Sequence, residues 1–229
     1  MEDLFSNDAL QSKTLARADV EALLGGSPKT FIDCNLEEAD LSGMNLTGWK
    51  FKRCNLRRCD LNRARLEATA WLSCRGPFSS FTASDLTDAR FVGSDFNNAS
   101  FKGATLQEVE FTRCKLTGSD LSRVRAFNIA FDETLLVNAK LSGRSFRKAT
   151  LNRVDFSQSD LRNCDFRHAT LDECSLREAD MAGSRFDGAD LRGADLGGLR
   201  LSDASLFRGA IISRKQAGQL LSELGLNVR

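Results

Sequence analysis

Large apolar residues recur at every fifth position of this chain. From Phe31 to Ile211 there are thirty-seven such positions, of which twelve carry Phe and twenty Leu. The other five are Trp71, Gly76, Ala126, Met181 and Ile211. A second column, two residues earlier in each unit, runs from Cys34 to Gly209 and holds mainly Ala, Cys, Ser, Val and Thr. The repeating unit is therefore small–polar–Leu/Phe–x–x, seen cleanly in Ala189-Asp190-Leu191-Arg192-Gly193. A period of five fits neither a helix nor a strand. Each unit must turn the chain about once, with the small residue and the Leu or Phe pointing inward. Four units closing a square make a coil of about 20 residues, and stacked coils pair their backbones at roughly 4.8 Å. On that spacing the units make about nine coils and a rod of roughly 43 Å. Residues one coil apart should stack. Phe31, Phe51, Trp71, Phe91, Phe111 and Phe131 fall on one such line, and Phe146, Phe166 and Phe186 on another. These are read as ladders of rings in the core.

Three places interrupt the pattern. Gly76-Pro77 predicts a distorted corner, because proline cannot donate to a backbone ladder. At Arg125–Ile129 an inward site is underfilled by Ala126 and a small site overfilled by Ile129, which predicts a local kink. Arg144 occupies a small inward position and must turn outward or find a partner. The ends need caps, since end coils would expose core and unpaired strand edges. Residues 14–24 predict an N-terminal helix that stops at Gly25-Gly26. At the far end Ser213-Arg214-Lys215-Gln216 fits a capping box. Ala217, Leu220, Leu221 and Leu224 then follow at the spacing of an amphipathic stripe. Gly225 ends that helix, and Leu226-Asn227-Val228 reads as a short strand. The expected organisation is an extension with a capping helix over 1–30, the repeats over 31–212, and a terminal helix and strand over 213–229.

Composition narrows the function. The 229 residues carry 32 basic and 31 acidic side chains, net +1, which excludes a uniformly basic nucleic-acid binder. No apolar run is long enough to span a membrane. The acidic start Met1-Glu2-Asp3-Leu4 lacks the features of a signal peptide, so a cytoplasmic protein is expected. His168 is the only histidine, which removes multi-histidine metal sites and argues against a His-based triad. All seven cysteines, Cys34, Cys54, Cys59, Cys74, Cys114, Cys164 and Cys174, lie in the small column and read as small buried hydrophobes. No nucleotide-binding loop or hydrolase motif is present. Asp160 and Asp180, one coil apart on one face, have a spacing that invites glycosidase chemistry, but short turns leave no cleft and both are consensus positions. No enzyme activity, cofactor or metal is expected.

These residues closely resemble the pentapeptide-repeat family, whose motif is A-(D/N)-L-x-x. The resemblance covers residues 31 to 211 and implies an all-β solenoid, a right-handed quadrilateral β-helix, with short helices at its ends. The tail from Gln216 to Val228 further resembles the C-terminal helix and strand of the gyrase-protecting subgroup. That subgroup comprises the Qnr and MfpA types and the immunity proteins against albicidin and microcin. The resemblance implies a homodimer through Ala217, Leu220, Leu221, Leu224, Leu226 and Val228. It also implies a protein that binds DNA gyrase or topoisomerase IV by mimicking DNA, and so confers resistance or self-immunity. The alternative is an interaction scaffold or effector with an unrelated partner.

Charge tests the mimicry. A 43 Å length of duplex would carry roughly 25 negative charges, so a chain of net +1 does not imitate DNA over its whole surface. Locally, residues 155–203 hold eleven acids and six bases. Asp155, Asp160, Asp165, Asp172, Glu173, Asp180, Asp187, Asp190 and Asp195 are the candidate topoisomerase-facing acids, although Asp before Leu also serves to turn the chain. Residues 50–75 form a basic block: Lys50, Lys52, Arg53, Arg57, Arg58, Arg63, Arg65 and Arg75. It lacks the interleaved aromatics of a single-strand binder, so direct specific nucleic-acid binding is not expected. Leu72, Phe78, Val92 and Phe127 are outward apolar residues and form a candidate contact patch.

Overall fold

The computed structural model describes residues 9–126, 128–199, 201–223 and 225–227, with Leu201 and Ser202 described in the backbone only. The chain divides into two compact units, 1–130 and 131–229. Both are parallel β-solenoids.

In the first unit, β1 (Ala9–Gln11) is followed by a five-residue helix, α1 (Arg17–Glu21). Strands β2 (Thr30–Ile32), β3 (Lys50–Lys52), β4 (Ala70–Leu72), β5 (Arg90–Val92) and β6 (Glu110–Thr112) pair in parallel, and from β2 onward each partner lies 20 residues away. Then come β7 (Ala130–Asp132), β8 (Thr150–Asn152) and β9 (Thr170–Asp172), with Leu151 opposite Leu171. Isolated bridges such as Asn35–Asn55, Asp40–Asp60 and Asn45–Arg65 supply three further ladders per coil. Four ladders in 20 residues make the four faces that the five-residue period predicts.

Each backbone N–H in a unit has a fixed destination. Leu36 donates to Asn55, and Glu38 to Arg57. Ala39 closes the turn onto Leu36, while Asn55 reaches back to Cys34. The residue after the Leu is left over, and the Asx side chain two residues before it accepts its N–H, as in Arg57 to Asn55 Oδ1 at 3.2 Å and Asn62 to Asp60 Oδ1 at 2.8 Å. Where that Asx is missing, a neighbouring coil can supply it: Thr82 donates to Asn62 and Thr117 to Asn97. The preference for Asp or Asn before Leu thus follows from complete satisfaction of the main chain.

This rule corrects the expectation at Gly76-Pro77. Pro77 sits where the ladder needs no N–H, and Arg75 rather than an Asx precedes the inward site. The ladder runs on undisturbed, from Gly76 to Asp95, from Phe78 to Asn97 and from Arg58 to Pro77. Gly76 is small for a packing reason: a Cβ there would lie 2.3 Å from the ring of Phe96. Among the described residues, three-residue strands lie on one face alone. On that face the residues before the inward side chain are Thr30, Lys50, Ala70, Arg90, Glu110, Ala130, Thr150 and Thr170, none of them Asx. Asp190 is the first Asx there; it captures the N–H of Arg192, and the strand shrinks to a bridge.

The last residue of most units has a left-handed backbone, with φ between 47° and 62° at twenty-five non-glycine positions. Each such residue carries about 1–2 kcal/mol of strain. Ala83 (φ 57°) is one, and it is exposed. Ala83→Gly is expected to stabilise the protein by about 0.5–1 kcal/mol, the relieved strain less the added chain entropy. A rise in the denaturant midpoint checks this.

The core is the double column. Phe51 stacks on Trp71 at 4.1 Å, Trp71 on Phe91 at 5.6 Å, and Phe91 on Phe111 at 4.7 Å. In the second unit Phe146, Phe166 and Phe186 stack at 4.7 Å per step. All seven cysteines are buried and reduced. Burial pushes the thiol pKa of Cys114 and Cys174 up to about 11 and that of Cys164 to about 12. At the small positions Ser79, Ser84 and Ser159 return their hydroxyls to the carbonyl three residues back. Arg144 is half-buried, and desolvation lowers its pKa. Ala126 and Ile129 are only half-buried, unlike most of their columns.

Both ends depart from the count. The ladder begins before Phe31: Leu10 pairs with Phe31 across 21 residues, and Leu15 and Val20 are buried behind it. The expected helix over 14–24 is therefore only Arg17–Glu21, because Thr14 is already in a ladder with Asn35. Asp19 accepts the Ala16 N–H, and Arg17 ties the helix to Asp40 at 3.1 Å. At the other end the register slips by one residue. Phe186 donates its N–H to Leu206, and Phe207, one residue past the inward position set by the period of five, stacks on Phe186 at 4.6 Å. Ile211, expected to face inward, is half exposed. A 3-10 segment, Leu201–Phe207, interrupts the ninth coil, whose units at Leu191 and Leu196 remain regular.

Candidate functional site

The C-terminal end is built by α2 (Arg214–Glu223). Its capping box forms as expected: Ser213 Oγ accepts the Gln216 N–H at 3.2 Å, and Gln216 Oε1 accepts the Ser213 N–H at 2.7 Å. Sequence reasoning missed the second task of Gln216. It is buried, and its Nε2 donates to the carbonyls of Leu191 (2.5 Å) and Ala194 (2.7 Å), fastening the helix to the last coil. The helix closes on Gly225 (φ 80°), with Gly225 donating to Ser222 and Leu226 to Leu221. Leu226 and Asn227 are not in a strand, contrary to expectation, because the Leu226 N–H is spent on this closure.

The candidate dimer residues divide. Ala217 and Leu220 are half-buried, whereas Leu221 and Leu226 are exposed, as are Ile211 and Ile212, which precede α2. Leu224 and Val228 lie outside the described residues. Between α2 and the last coil lies a cavity of about 490 Å³ lined by Arg177, Asp195, Lys215, Gln219 and Glu223, among others. Arg177 and Asp195 are paired in its wall at 2.9 Å.

The candidate acidic surface is largely compensated from within. Arg162 pairs with Asp160 (2.8 Å) and Asp180 (3.6 Å), Arg167 with Asp165 (2.6 Å), Arg185 with Asp187 (3.4 Å) and Arg192 with Asp190 (2.6 Å). With Arg177–Asp195, six of the nine acids are in ion pairs, and Asp155, Asp172 and Glu173 are in none among the described residues. Asp160 and Asp180 do stack as bridge partners, but with an arginine shared between them. Asp155, Asp160, Asp165, Asp180, Asp190 and Asp195 also hold turns by accepting a main-chain N–H. The basic block is compensated in the same way, by the coil before it. Arg53 pairs with Asp33 (2.7 Å), Arg57 with Glu37 (2.7 Å) and Arg58 with Glu38 (3.5 Å), while Arg65 meets Glu67. Lys50, Lys52, Arg63 and Arg75 have no ion pair among the described residues.

Hydrogen bonds from Arg162, Arg167 and Arg192 hold the carboxyls of Asp160, Asp165 and Asp190 below the usual range. The unfolded chain therefore binds protons at these sites at higher pH than the folded one. The stability they contribute is present above about pH 4 and is lost as pH falls through the lowered folded values. Denaturant midpoints should hold level from pH 7 to about pH 5, as far as these carboxyls govern them, and fall below about pH 4.

Of the outward apolar residues, Leu72 and Val92 stack as register partners on β4 and β5. Phe78 is 54% exposed on the following face, and Phe127 lies outside the described residues. His168 is exposed at a left-handed corner. No group of side chains among the described residues could hold a metal ion. No helix among them is long and apolar enough to cross a membrane.

A coil of five-residue units stacked in register is what one family model describes. The model "Pentapeptide repeats" matches residues 31–68, 81–123, 131–167, 159–198 and 169–206. The chain belongs to the pentapeptide-repeat family. No curated protein matches its sequence. Among solved structures, full-length QnrB1, a plasmid-mediated fluoroquinolone resistance protein, matches with a TM-score of 0.58 at 20% identity, over 95% of this chain and 97% of that one. A trypsin-treated QnrB1 variant matches with a TM-score of 0.55 at 22% identity, over 96% and 97%. At these identities the likeness is one of fold, and it extends past the repeats to nearly the whole pentapeptide-repeat chain.

Proposed function

We propose that this pentapeptide-repeat protein binds a type II topoisomerase, DNA gyrase or topoisomerase IV, and shields it from a poison in the cytoplasm. It works without a cofactor or catalysis, as a homodimer through α2 and the residues after it. The observation that carries this reading is the apolar C-terminal end: Leu221, Leu226, Ile211 and Ile212 lie open to solvent on a fold that matches QnrB1 over 95% of the chain. Exposed apolar residues gathered at one end mark an interface.

Within this reading the mimicry of DNA is local. Asp155, Asp172 and Glu173 supply the uncompensated charge toward the basic DNA-binding surface of the enzyme. The six paired acids shape the face instead of charging it. The same compensation favours a second reading, an interaction scaffold with an unrelated partner, because a surface that neutralises itself steers weakly. Two measurements separate them. Sedimentation of the wild type at micromolar concentration should give a dimer, and Leu221→Glu together with Leu226→Glu should weaken dimerisation at least about tenfold, as burying two unpaired carboxylates costs several kcal/mol. A wild-type monomer would remove the dimer. Failure of the purified protein to bind gyrase or topoisomerase IV would leave the scaffold.

A further inference from the structure

The strand face of the first unit carries an unfinished surface. A parallel sheet normally has both faces covered. Here the inner face holds the ring ladder, and the outer face of β4 and β5 presents Ala70, Leu72 and Val92. Leu72 is 37% exposed, and Ala70 and Val92 are half-buried. The register fixes what surrounds them. Lys50 lies beside Ala70 and Lys52 beside Leu72, one coil before. Thr112 lies beside Val92 one coil after, and Arg113 follows it at the exposed corner. Arg90 and Glu110 on the same face neutralise each other at 3.4 Å, as Arg53 and Asp33 do at 2.7 Å. Lys50, Lys52 and Arg113 have no ion pair among the described residues.

From this arrangement we infer that the strand face of the first unit is a docking surface for an acidic segment of a partner protein. The segment has an apolar centre that covers Leu72 and Val92. Carboxylates on one side of that centre meet Lys50 and Lys52, and one on the other side meets Arg113. The rows from β3 to β6 span about 14 Å, the length of four or five extended residues. Nucleic acid fits less well: its phosphates would satisfy the bases but gain nothing over two aliphatic side chains, and the face offers no ring for a base to stack on. The polarity is opposite to that of a DNA mimic. This surface involves neither α2 nor a topoisomerase, so it stands or falls apart from the proposed function.

The test is fluorescence anisotropy with labelled Glu-Glu-Leu-Leu-Glu-Glu, its Leu-to-Ser and Glu-to-Lys counterparts, and a blunt DNA duplex, each titrated with the full chain. The acidic Leu peptide should bind, and more weakly in high salt. Its affinity should drop about tenfold in Leu72→Ser and at least as much in Lys50→Glu with Lys52→Glu. Both sets of side chains point outward, so the melting transition should be unchanged. Arg123→Glu, at a corner of another face, should bind as wild type. Absence of binding by the acidic Leu peptide overturns the inference. Equal binding of the Ser peptide, or tighter binding of DNA that ignores Leu72→Ser, does so too.

Discussion

Trp71→Ala is expected to destabilise the first unit by about 3–5 kcal/mol. Trp71 is fully buried, lies flat between the rings of Phe51 and Phe91, and meets Phe81 and Phe96 edge-on at 5.7 and 6.0 Å. Its indole N–H donates to the Thr69 hydroxyl at 3.0 Å, which in turn donates to the carbonyl of Leu66. A globular core could sink into the hole left by the indole. A solenoid cannot, because the backbones above and below are held at the strand spacing by their own hydrogen bonds. The cavity therefore stays nearly full size. Trp71→Phe keeps the stack and loses the indole donor, and about 1–2 kcal/mol is expected for it. Guanidinium unfolding of the two variants checks both. A loss under about 1.5 kcal/mol for Trp71→Ala would mean that the coils relax far more than their ladders allow.

The second large effect is local. Gln216→Ala removes the donor to Leu191 and Ala194 and half of the capping box together. The Ala194 carbonyl loses its buried partner, at roughly 1–3 kcal/mol, the Leu191 carbonyl keeps the Ala194 N–H, and the lost half of the cap adds about 1 kcal/mol. The expected total of about 2–4 kcal/mol falls on the docking of α2 and leaves the coils intact. Hydrogen exchange should show the amides of α2 losing protection, with the repeats unchanged. Under the proposed function, dimerisation should be lost in the same variant. Global unfolding at a lower midpoint, with α2 still protected, would contradict the assignment.

Most of the fold is legible in the residues because a five-residue period allows few other folds. The four ladders, the stacked rings and the buried cysteines follow from two columns of side chains. What escaped reading belongs to the main chain. Pro77 looks like a break until each N–H is followed to its acceptor; then it is the position the ladder spares. The strand face carries the longest run of units without Asx, from Thr30 to Thr170, while shorter runs such as Thr105, Arg125 and Ser145 make only isolated bridges. The ends were misread for one shared reason. A single extra residue in the coil of Leu10 and in that of Phe207 moves the inward column by one, and a fixed count of five cannot register it.

The candidate site was less legible than the fold. Summed along the chain, residues 50–75 look basic and 155–203 acidic. In space a residue's neighbours are 2, 18 or 20 positions away, so Asp33 meets Arg53 and Asp195 meets Arg177. Charge read linearly therefore overstates both surfaces. The role of Gln216 was hidden for a different reason: a capping-box glutamine gives no sign that its amide N–H points into the core. The apolar end was visible as the stripe of α2, although Ile211 joins it only because of the slip in register.

The most direct test of the functional account is a gyrase supercoiling assay poisoned with a fluoroquinolone, with this protein titrated in. The account predicts that supercoiling returns and cleaved DNA falls as the protein approaches the enzyme concentration, and that Leu221→Glu with Leu226→Glu abolishes the effect. A poison that acts unchanged, with gyrase neither bound nor inhibited and topoisomerase IV likewise indifferent, would contradict it.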